Sequence, residues 1–452
     1  MLARGDAGRG TTADGRAASG AGEAHRLLVL GSMDEFVHLV DLARARGWHT
    51  IVADGYPDGP AKRHADEAYD VDVRDVEAVA RLARELRVDG AVASYSDVLF
   101  ESLCRATHAA GLYAYCPLPG MEKLRDKRLM GAMFAELGVP TPRSRVVRRD
   151  SVARDCEGLA FPCVMKPLDG YGSYGIFVVR DADGVAAHFD ETSGVSSHRD
   201  AVLVEEYDTG HEINMISWVA GGTVHAISLA DREKCPLVAG GVPDVVRITY
   251  PSVFAADAAP AAVAILQRVA DACGMQDGPL SMQFFWHPED RTITVCEVAG
   301  RVLGYEHENV EIGSGLSVDE LLLDLTYDRA RMRELVEAHS LDDFSGVSFV
   351  LNFHARPGCA GVVTDTRAAD AILSDPRALG PSMLHYAKGE TIRHGKGAKP
   401  YVARVFCHTD TRAQADEMTA RLFRTFSVRG AQGEELVCRE ALPFMSEWST
   451  LA

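Results

Sequence analysis

Lys166 closes the apolar segment Phe161-Pro-Cys-Val-Met-Lys166, and shortly beyond it stand Gly170, Gly172 and Gly175. Glycines in the pattern G-x-G-x-x-G have two chemical uses. In dinucleotide-binding folds they follow a strand and open a helix whose N-terminus holds a pyrophosphate. Here Gly175 runs into Ile-Phe-Val-Val179, a strand pattern. The loop therefore joins two strands, and the dinucleotide context is missing. A glycine loop between strands can instead wrap its amides round the outer phosphates of a nucleotide. Lys166 would then reach an inner phosphate as a point charge. The competing reading is a plain hairpin that carries a lysine by chance.

Two further segments carry carboxylates where chemistry can use them. In Val202-Leu-Val-Glu205-Glu206-Tyr207, a strand ends in two acids; the chain turns at Gly210 and resumes with Glu212. Backbone groups of such a strand can meet adenine, and a following Glu can accept from ribose hydroxyls. An exposed acidic edge is the alternative. The other segment pairs Leu280-Ser-Met-Gln283 with Val295-Cys-Glu297-Val-Ala299-Gly-Arg301. Glu297 ends an apolar strand, where a charge is expensive unless paired. A magnesium ion bridging phosphates would pair it, and Arg301 could meet a transferred phosphoryl group bidentately. A Glu297–Arg301 ion pair would serve as well.

The elements that must position these groups alternate at first. Leu27–Leu30 and Thr50–Asp54 read as strands, with a helix between them through Phe36, Leu39, Val40 and Leu42. A helix over Val76–Leu86, a strand over Gly90–Ser94 and a helix over Leu99–Ala110 follow, which predicts a parallel sheet covered on both faces. A helix starts near Lys127 and ends at Gly138, stopped by Pro140 and Pro142. Strands then crowd together: Pro162–Lys166, Gly175–Val179, Ala201–Glu206, Ile213–Val219 and Thr223–Leu229, a spacing that predicts antiparallel hairpins. A long helix over Ala259–Cys273 precedes the hairpin Leu280–Trp286 and Thr292–Glu297. Helices over Val318–Asp324 and Arg329–Ala338 come next. Beyond them lie strands over Val347–Phe353, Ser382–Tyr386 and Tyr401–Cys407 and a helix over Thr411–Phe426. The fold class expected is α/β and α+β: a disordered tail over 1–25, a Rossmann-like domain over 26–120, a central domain over 121–340 and a small mixed domain over 341–452.

Composition narrows the partners. A chain of 452 residues with 47% apolar and 25% charged residues is an ordinary globular mix. The net charge of −18 argues against a broad nucleic-acid footprint. No apolar run approaches the ~18 residues of a membrane helix, and no secretory signal opens the chain. The ten cysteines form no C-x-x-C pair and read as reduced thiols of a cytoplasmic protein.

Taken in order and spacing, the lysine before a glycine loop, the E-E-Y…G-x-E segment and the E-x-x-x-R strand end resemble the ATP-grasp superfamily. The resemblance runs over about residues 26–330. It implies a Rossmann-like N-terminal domain, the ATP-grasp fold and a small C-terminal domain similar to that of biotin-carboxylase-like members. It implies ATP and magnesium (or manganese) as cofactors, with Lys127 and Lys166 on the phosphates and Gly172 and Ser173 in the closing loop. Glu205 and the Glu206–Tyr207 backbone would meet adenine, Glu212 the ribose, and Glu297 the metal, with Arg301 on the acyl phosphate or tetrahedral intermediate. Gln283 stands where the first metal carboxylate is usual, and Ala299 where an Asn is usual. The E-x-A-x-R form is similar to that of L-amino acid ligases.

The chemistry implied is a carboxylate–amine ligation: a carboxylate activated on phosphate, then joined to an amine, with small-molecule substrates such as amino acids and a homodimer as a common assembly. Two segments offer substrate contacts. Arg232 and Lys234, in Asp231-Arg-Glu-Lys234, follow an apolar strand and suit a carboxylate. Glu306 and Glu308, in Gly304-Tyr-Glu-His-Glu-Asn309, suit an amine, with His307 as a base; solvated loops are the alternative for both. Three rival functions stay open. A carboxylase using carboxyphosphate fits the C-terminal region. A nucleotide-binding regulator without turnover is favoured by Gln283. A Rossmann oxidoreductase is opposed by the strand after Gly175.

Overall fold

The computed structural model describes residues 24–169, 175–235, 243–394, 399 and 401–439. Most of the expected tail, and Gly170, Gly172 and Ser173 of the glycine loop, lie outside them. No helix among the described residues is long and apolar enough to cross a membrane.

The chain opens with four parallel strands: β1 (Arg26–Leu30), β2 (His49–Asp54), β3 (Glu67–Asp70) and β4 (Gly90–Val92), in the order β3-β2-β1-β4. Helix α1 (Glu35–Ala45) connects β1 to β2, a 3-10 turn (Pro60–Arg63) joins β2 to β3, α2 (Val76–Glu85) connects β3 to β4, and α3 (Asp97–Ala110) follows β4. The parallel pairing is the one the alternation predicts, because a parallel connection needs a crossover. Strand order reverses between β1 and β4. In such sheets the crevice outside the carboxyl ends at that point receives ligands. The residues that come off there are Asp34 and Glu35 after β1, and Tyr95 and Asp97 after β4.

Two helices lead out of this layer, α4 (Leu118–Arg125) and α5 (Lys127–Leu137). The Asp126 side chain caps α5 by accepting from the Arg128 and Leu129 amides, and Gly138 ends it at φ +62°. Both signals are legible in sequence. A small antiparallel sheet follows, ordered β5-β8-β6-β7: β5 (Ser144–Arg148), β6 (Cys163–Lys166), β7 (Phe177–Val179) and β8 (Ala201–Glu206). The short α6 (Val152–Asp155) and α7 (Ala182–Ser193) cover it. Val147, Met165, Val179, Phe189 and Val204 form its own core.

The largest layer is an eight-stranded antiparallel sheet. Its strands are β9 (His211–Ala220), β10 (Thr223–Cys235), β11 (Asp244–Tyr250), β12 (Gly278–His287), β13 (Thr292–Ala299), β14 (Val347–Phe353), β16 (Met383–Leu384) and β18 (Ala403–Thr409), ordered β13-β12-β9-β10-β11-β14-β18-β16. Helices α8 (Ala255–Cys273), α9 (Glu308–Ser314), α10 (Val318–Tyr327) and α11 (Arg329–Ala338) lie between these strands in sequence. A side hairpin of β15 (Ala360–Val362) and β17 (Thr391–Arg393), with α12 (Arg367–Leu373) and α13 (Arg412–Thr425), completes the chain. The sheet runs on across residue 340, since β11 pairs with β14 and β14 with β18. The separate C-terminal core, with Phe349, Phe353, Phe423 and Phe426, sits on its far face.

Strand β10 extends beyond the predicted Leu229 to Cys235, so Asp231–Lys234 is not a loop. Its charges alternate because a strand alternates its faces. Arg232 and Lys234 turn to Glu212. Asp231 and Glu233 turn the other way, where they hold Arg412 and Arg247. Arg247 is fully buried; it pairs with Glu233 and donates to Thr419 Oγ1 of α13 at 3.0 Å. Removing one member of such a pair strands the other charge in the interior. Arg247→Ala is expected to lower unfolding free energy by about 3–5 kcal/mol, read from the midpoint of a chemical denaturation curve.

Candidate active site

Strand β6 delivers Lys166 into the gap between the small and large sheets. Its Nζ lies 2.9 Å from Glu205 Oε1 on the neighbouring β8. Burial works against the ammonium charge, but Glu205, with Glu297 behind it, outweighs that and holds Lys166 above the ordinary lysine range. Glu205 is thus engaged by Lys166 rather than left open. The next residues on this strand are also engaged. The amides of Glu206 and Tyr207 donate to the Arg143 and Pro162 carbonyls, and Glu206 Oε1 accepts from the Ala160 amide. An adenine contact here would fall to carbonyls. Gly175, at the end of the loop, has φ +71°, a backbone shape that suits glycine. The Lys127 amide donates to the Leu168 carbonyl, which ties the start of α5 to the segment just past Lys166.

Gln283 and Glu297 stand directly opposite each other on β12 and β13. The Gln283 amide nitrogen donates to Glu212 Oε1 at 2.6 Å, which leaves its carbonyl oxygen to face a cation. Glu297 is half-buried and makes no hydrogen bond or ion pair among the described residues. A carboxylate and an amide oxygen side by side suit a hard divalent ion. The described residues hold no cluster of three His, Cys, Asp or Glu ligands. An ion at this pair would draw its other ligands from phosphate and water. Glu212 itself is buried and holds Arg232 Nη1 at 2.6 Å and the Lys234 ammonium. A ribose contact by Glu212 would have to share it with both.

Arg301 does not pair with Glu297. Its Nε and Nη2 donate to the two oxygens of Asp97 at 2.8 and 2.9 Å, a bidentate fork across to the start of α3. Burial raises the cost of the Asp97 charge, yet Arg301, Arg125 and Lys127 pull its carboxyl down to about 2. Nothing in the sequence near Arg301 signals Asp97; the one local sign is an acid opening a helix just after a parallel strand.

The loop leaving Arg301 runs against the first layer. Leu303 bridges to Tyr95, and a Cβ at Gly304 would press within 3.0 Å of the Tyr95 carbonyl and of Glu35. Glu306 is buried; Tyr250 OH donates to it at 2.7 Å and Asn214 Nδ2 at 2.5 Å. Burial pushes its carboxyl up, against the pull of Arg232. His307 stacks on Tyr95 at 4.3 Å, and its Nδ1 is buried without a hydrogen bond. Glu308 lies 3.6 Å from Arg404 Nη1. The structure thus joins the substrate candidates of this loop to residues that sequence reasoning missed: Asp34, Glu35, Tyr95 and Arg404.

This is the architecture of the ATP-grasp fold: a Rossmann-like layer, a small sheet carrying Lys166 at a strand end, and a larger sheet carrying Gln283 and Glu297 side by side. Residues 159–307 match the family model for the ATP-grasp domain. Curated relatives include formate-dependent phosphoribosylglycinamide formyltransferases. The one from Wolinella succinogenes is 25% identical over 40% of this chain and 47% of its own. The one from Rhodococcus jostii is 28% identical over 46% and 51%. The chain spans about half the length of the curated relatives it matches. Among solved structures, an L-amino acid ligase from Bacillus licheniformis superposes with a TM-score of 0.71 at 15% identity, covering 91% of this chain and 100% of that one. The biotin carboxylase domain of Hydrogenobacter thermophilus 2-oxoglutarate carboxylase gives 0.69 at 16%, covering 90% and 92%.

Glu35 provides a test of the charge arrangement. Burial, with Glu308 and Asp34 nearby, pushes its carboxyl up to about 8 against the pull of Arg404 and the Tyr305 amide. An unfolded glutamate titrates near the ordinary 4.5. Between these values the folded chain keeps a proton that the unfolded chain has lost, so stability falls as pH rises through the window. Glu35→Gln cannot ionise. Thermal melts from pH 4.5 to 8 are expected to show the wild type losing ground steadily to this variant, with no further divergence above that range.

Proposed function

We propose that the protein is an ATP-dependent, ADP-forming carbon–nitrogen ligase that activates a carboxylate as an acyl phosphate and passes it to an amine. The observation that supports this most is the unpaired Glu297 opposite Gln283, flanked by the charges of Lys166 and Arg301. One negative side chain among fixed cations suits a metal–phosphate ligand.

In this reading the substrate carboxylate attacks the γ-phosphorus of ATP and ADP departs with the electrons of the broken P–O bond. The amine, in its deprotonated form, then attacks the acyl carbon; the C–O bond to phosphate breaks, phosphate departs with its electrons, and the proton left on nitrogen passes to the departing phosphate. The protein's part is positioning and charge neutralisation. Lys166 and Lys127 hold phosphates, and Gly172 and Ser173 contribute loop amides. Glu297 and Gln283 would hold magnesium, which would supply further neutralisation of the phosphate charge. Asp97 fixes the Arg301 fork; one N–H on each terminal nitrogen remains for the oxyanion, since a third donates to the Val302 carbonyl.

The test is magnesium-dependent phosphate release from ATP across free amino acids, singly and in pairs, and across formate and bicarbonate. Release that requires a carboxylate with an amine, together with a new amide mass, is the expected result, and Lys166→Ala is expected to abolish it. Release on bicarbonate alone would make the protein a carboxylase, and ATP bound but unconsumed under every condition would make it a regulator. Glu297→Gln is expected to raise the magnesium concentration for half-maximal rate at least tenfold, because it leaves no carboxylate at either metal-facing position. An unchanged magnesium curve would take Glu297 out of the metal site.

A further inference from the structure

Two segments bring carboxylates to one place at the switch point of the first sheet. Asp34 and Glu35 come from the start of α1, and Glu308 from the start of α9. They meet a single guanidinium, Arg404, which reaches in from β18. Arg404 Nη2 donates to Asp34 at 2.7 Å, while its Nη1 stands 3.6 Å from Glu308 and makes no hydrogen bond. Arg404 is 1% exposed.

The other basic groups near Arg404 do not make up the difference. The His385 imidazole accepts from Arg404 Nε, and burial with Arg404 beside it pushes its pKa down to about 4. Lys399 is paired with Glu390. Arg232, on the far side of Tyr401, is taken by Glu212. Glu35 keeps its proton up to about pH 8, but Asp34 and Glu308 still outnumber Arg404, so among the described residues the pocket is short of positive charge.

Two buried atoms beside Glu308 also lack partners. His307 Nδ1, on a side chain only 3% exposed, lies 3.4 Å from Glu308 Oε2, and neither atom makes a hydrogen bond. Buried polar atoms are nearly always satisfied, so the orphaned Glu308 Oε2 marks a place for a donor. Aromatic faces line the same space: Tyr305 stands under Arg404 at 4.4 Å and at right angles to Tyr401.

We propose that this pocket, walled by Asp34, Glu35, Glu308, Tyr305 and Tyr401, receives the protonated amino group of the amine substrate, so that the acceptor is a small cationic or zwitterionic amine and not a phosphorylated one. The proposal rests on the ligase reading for its place in a reaction, but binding can be measured apart from turnover. A phosphate at this position would meet three acids and one guanidinium already held by one of them. The relatives whose names specify phosphoribosylglycinamide would on this argument differ from the present chain at this pocket.

The experiment is calorimetric titration of the full chain with glycinamide, its uncharged counterpart N-acetylglycinamide, glycinamide ribonucleotide and the free amino acids. At least one unphosphorylated cation or zwitterion is expected to bind, with N-acetylglycinamide silent and the ribonucleotide at least tenfold weaker. Glu308→Gln is expected to weaken that binding at least tenfold. The comparison between charged and uncharged probes stands on the unaltered protein, so it decides even if the variant does not fold. Tighter binding of the ribonucleotide, or failure of every cationic amine to bind, overturns the proposal. Hydroxamate formation from ATP, a carboxylate and hydroxylamine reports acyl phosphate independently. Its absence with every carboxylate would sink the ligase reading while leaving the amine pocket to the titration.

Discussion

A charge taken out of water has to be matched, and the centre of this molecule is arranged round that requirement. Lys166 with Glu205, Arg301 with Asp97, Glu212 with Arg232 and Lys234, and Arg247 with Glu233 are all buried pairs between different strands or layers. Each would cost several kcal/mol if split. Arg301–Asp97 ties the end of the large sheet to the Rossmann-like layer with a bidentate fork that tolerates little sliding, and the other pairs lock neighbouring strands within one sheet. Glu297, with no ion pair among the described residues, and Glu308, whose long contact to Arg404 is shared with Asp34, depart from this rule, and the two candidate ligand positions follow from that departure.

Strand β10 shows how one short stretch of sequence serves two ends. Its alternating charges face the candidate nucleotide gap through Arg232 and Lys234, and the C-terminal core through Asp231 and Glu233. A register slip of one residue would exchange the two sets. The strand is therefore pinned on both faces by charge, in a region where sequence patterning by hydrophobicity fades after Leu229.

That fading explains what could and could not be read in advance. The helices Lys127–Leu137 and Arg329–Ala338 and the strands Ala201–Glu206 and Val347–Phe353 are bounded by caps or sharp polarity changes, and their limits are those the sequence predicts. Strand β11 was missed because Asp244 and Arg247 interrupt its apolar run. Strand β3, Glu67–Asp70, has too few apolar residues to signal itself. At the site, Lys166, Gln283, Glu297 and Glu212 were legible because motif spacing is local. Asp97 and Arg404 were not, since they reach the site from distant parts of the chain.

The continuity of the large sheet has a bearing on how the chain is made. Strand β14 lies between β11 and β18, and β18 is the later of its two neighbours to be synthesised. From the time Val347–Phe353 clears the ribosome until Ala403–Thr409 follows, the nascent sheet ends in an apolar, hydrogen-bond-hungry edge. Such an edge recruits stray strands. The intervening segment, with its side hairpin and α12, thus sets a waiting time during which the molecule is most open to misassembly, and that interval is written into the order of its strands.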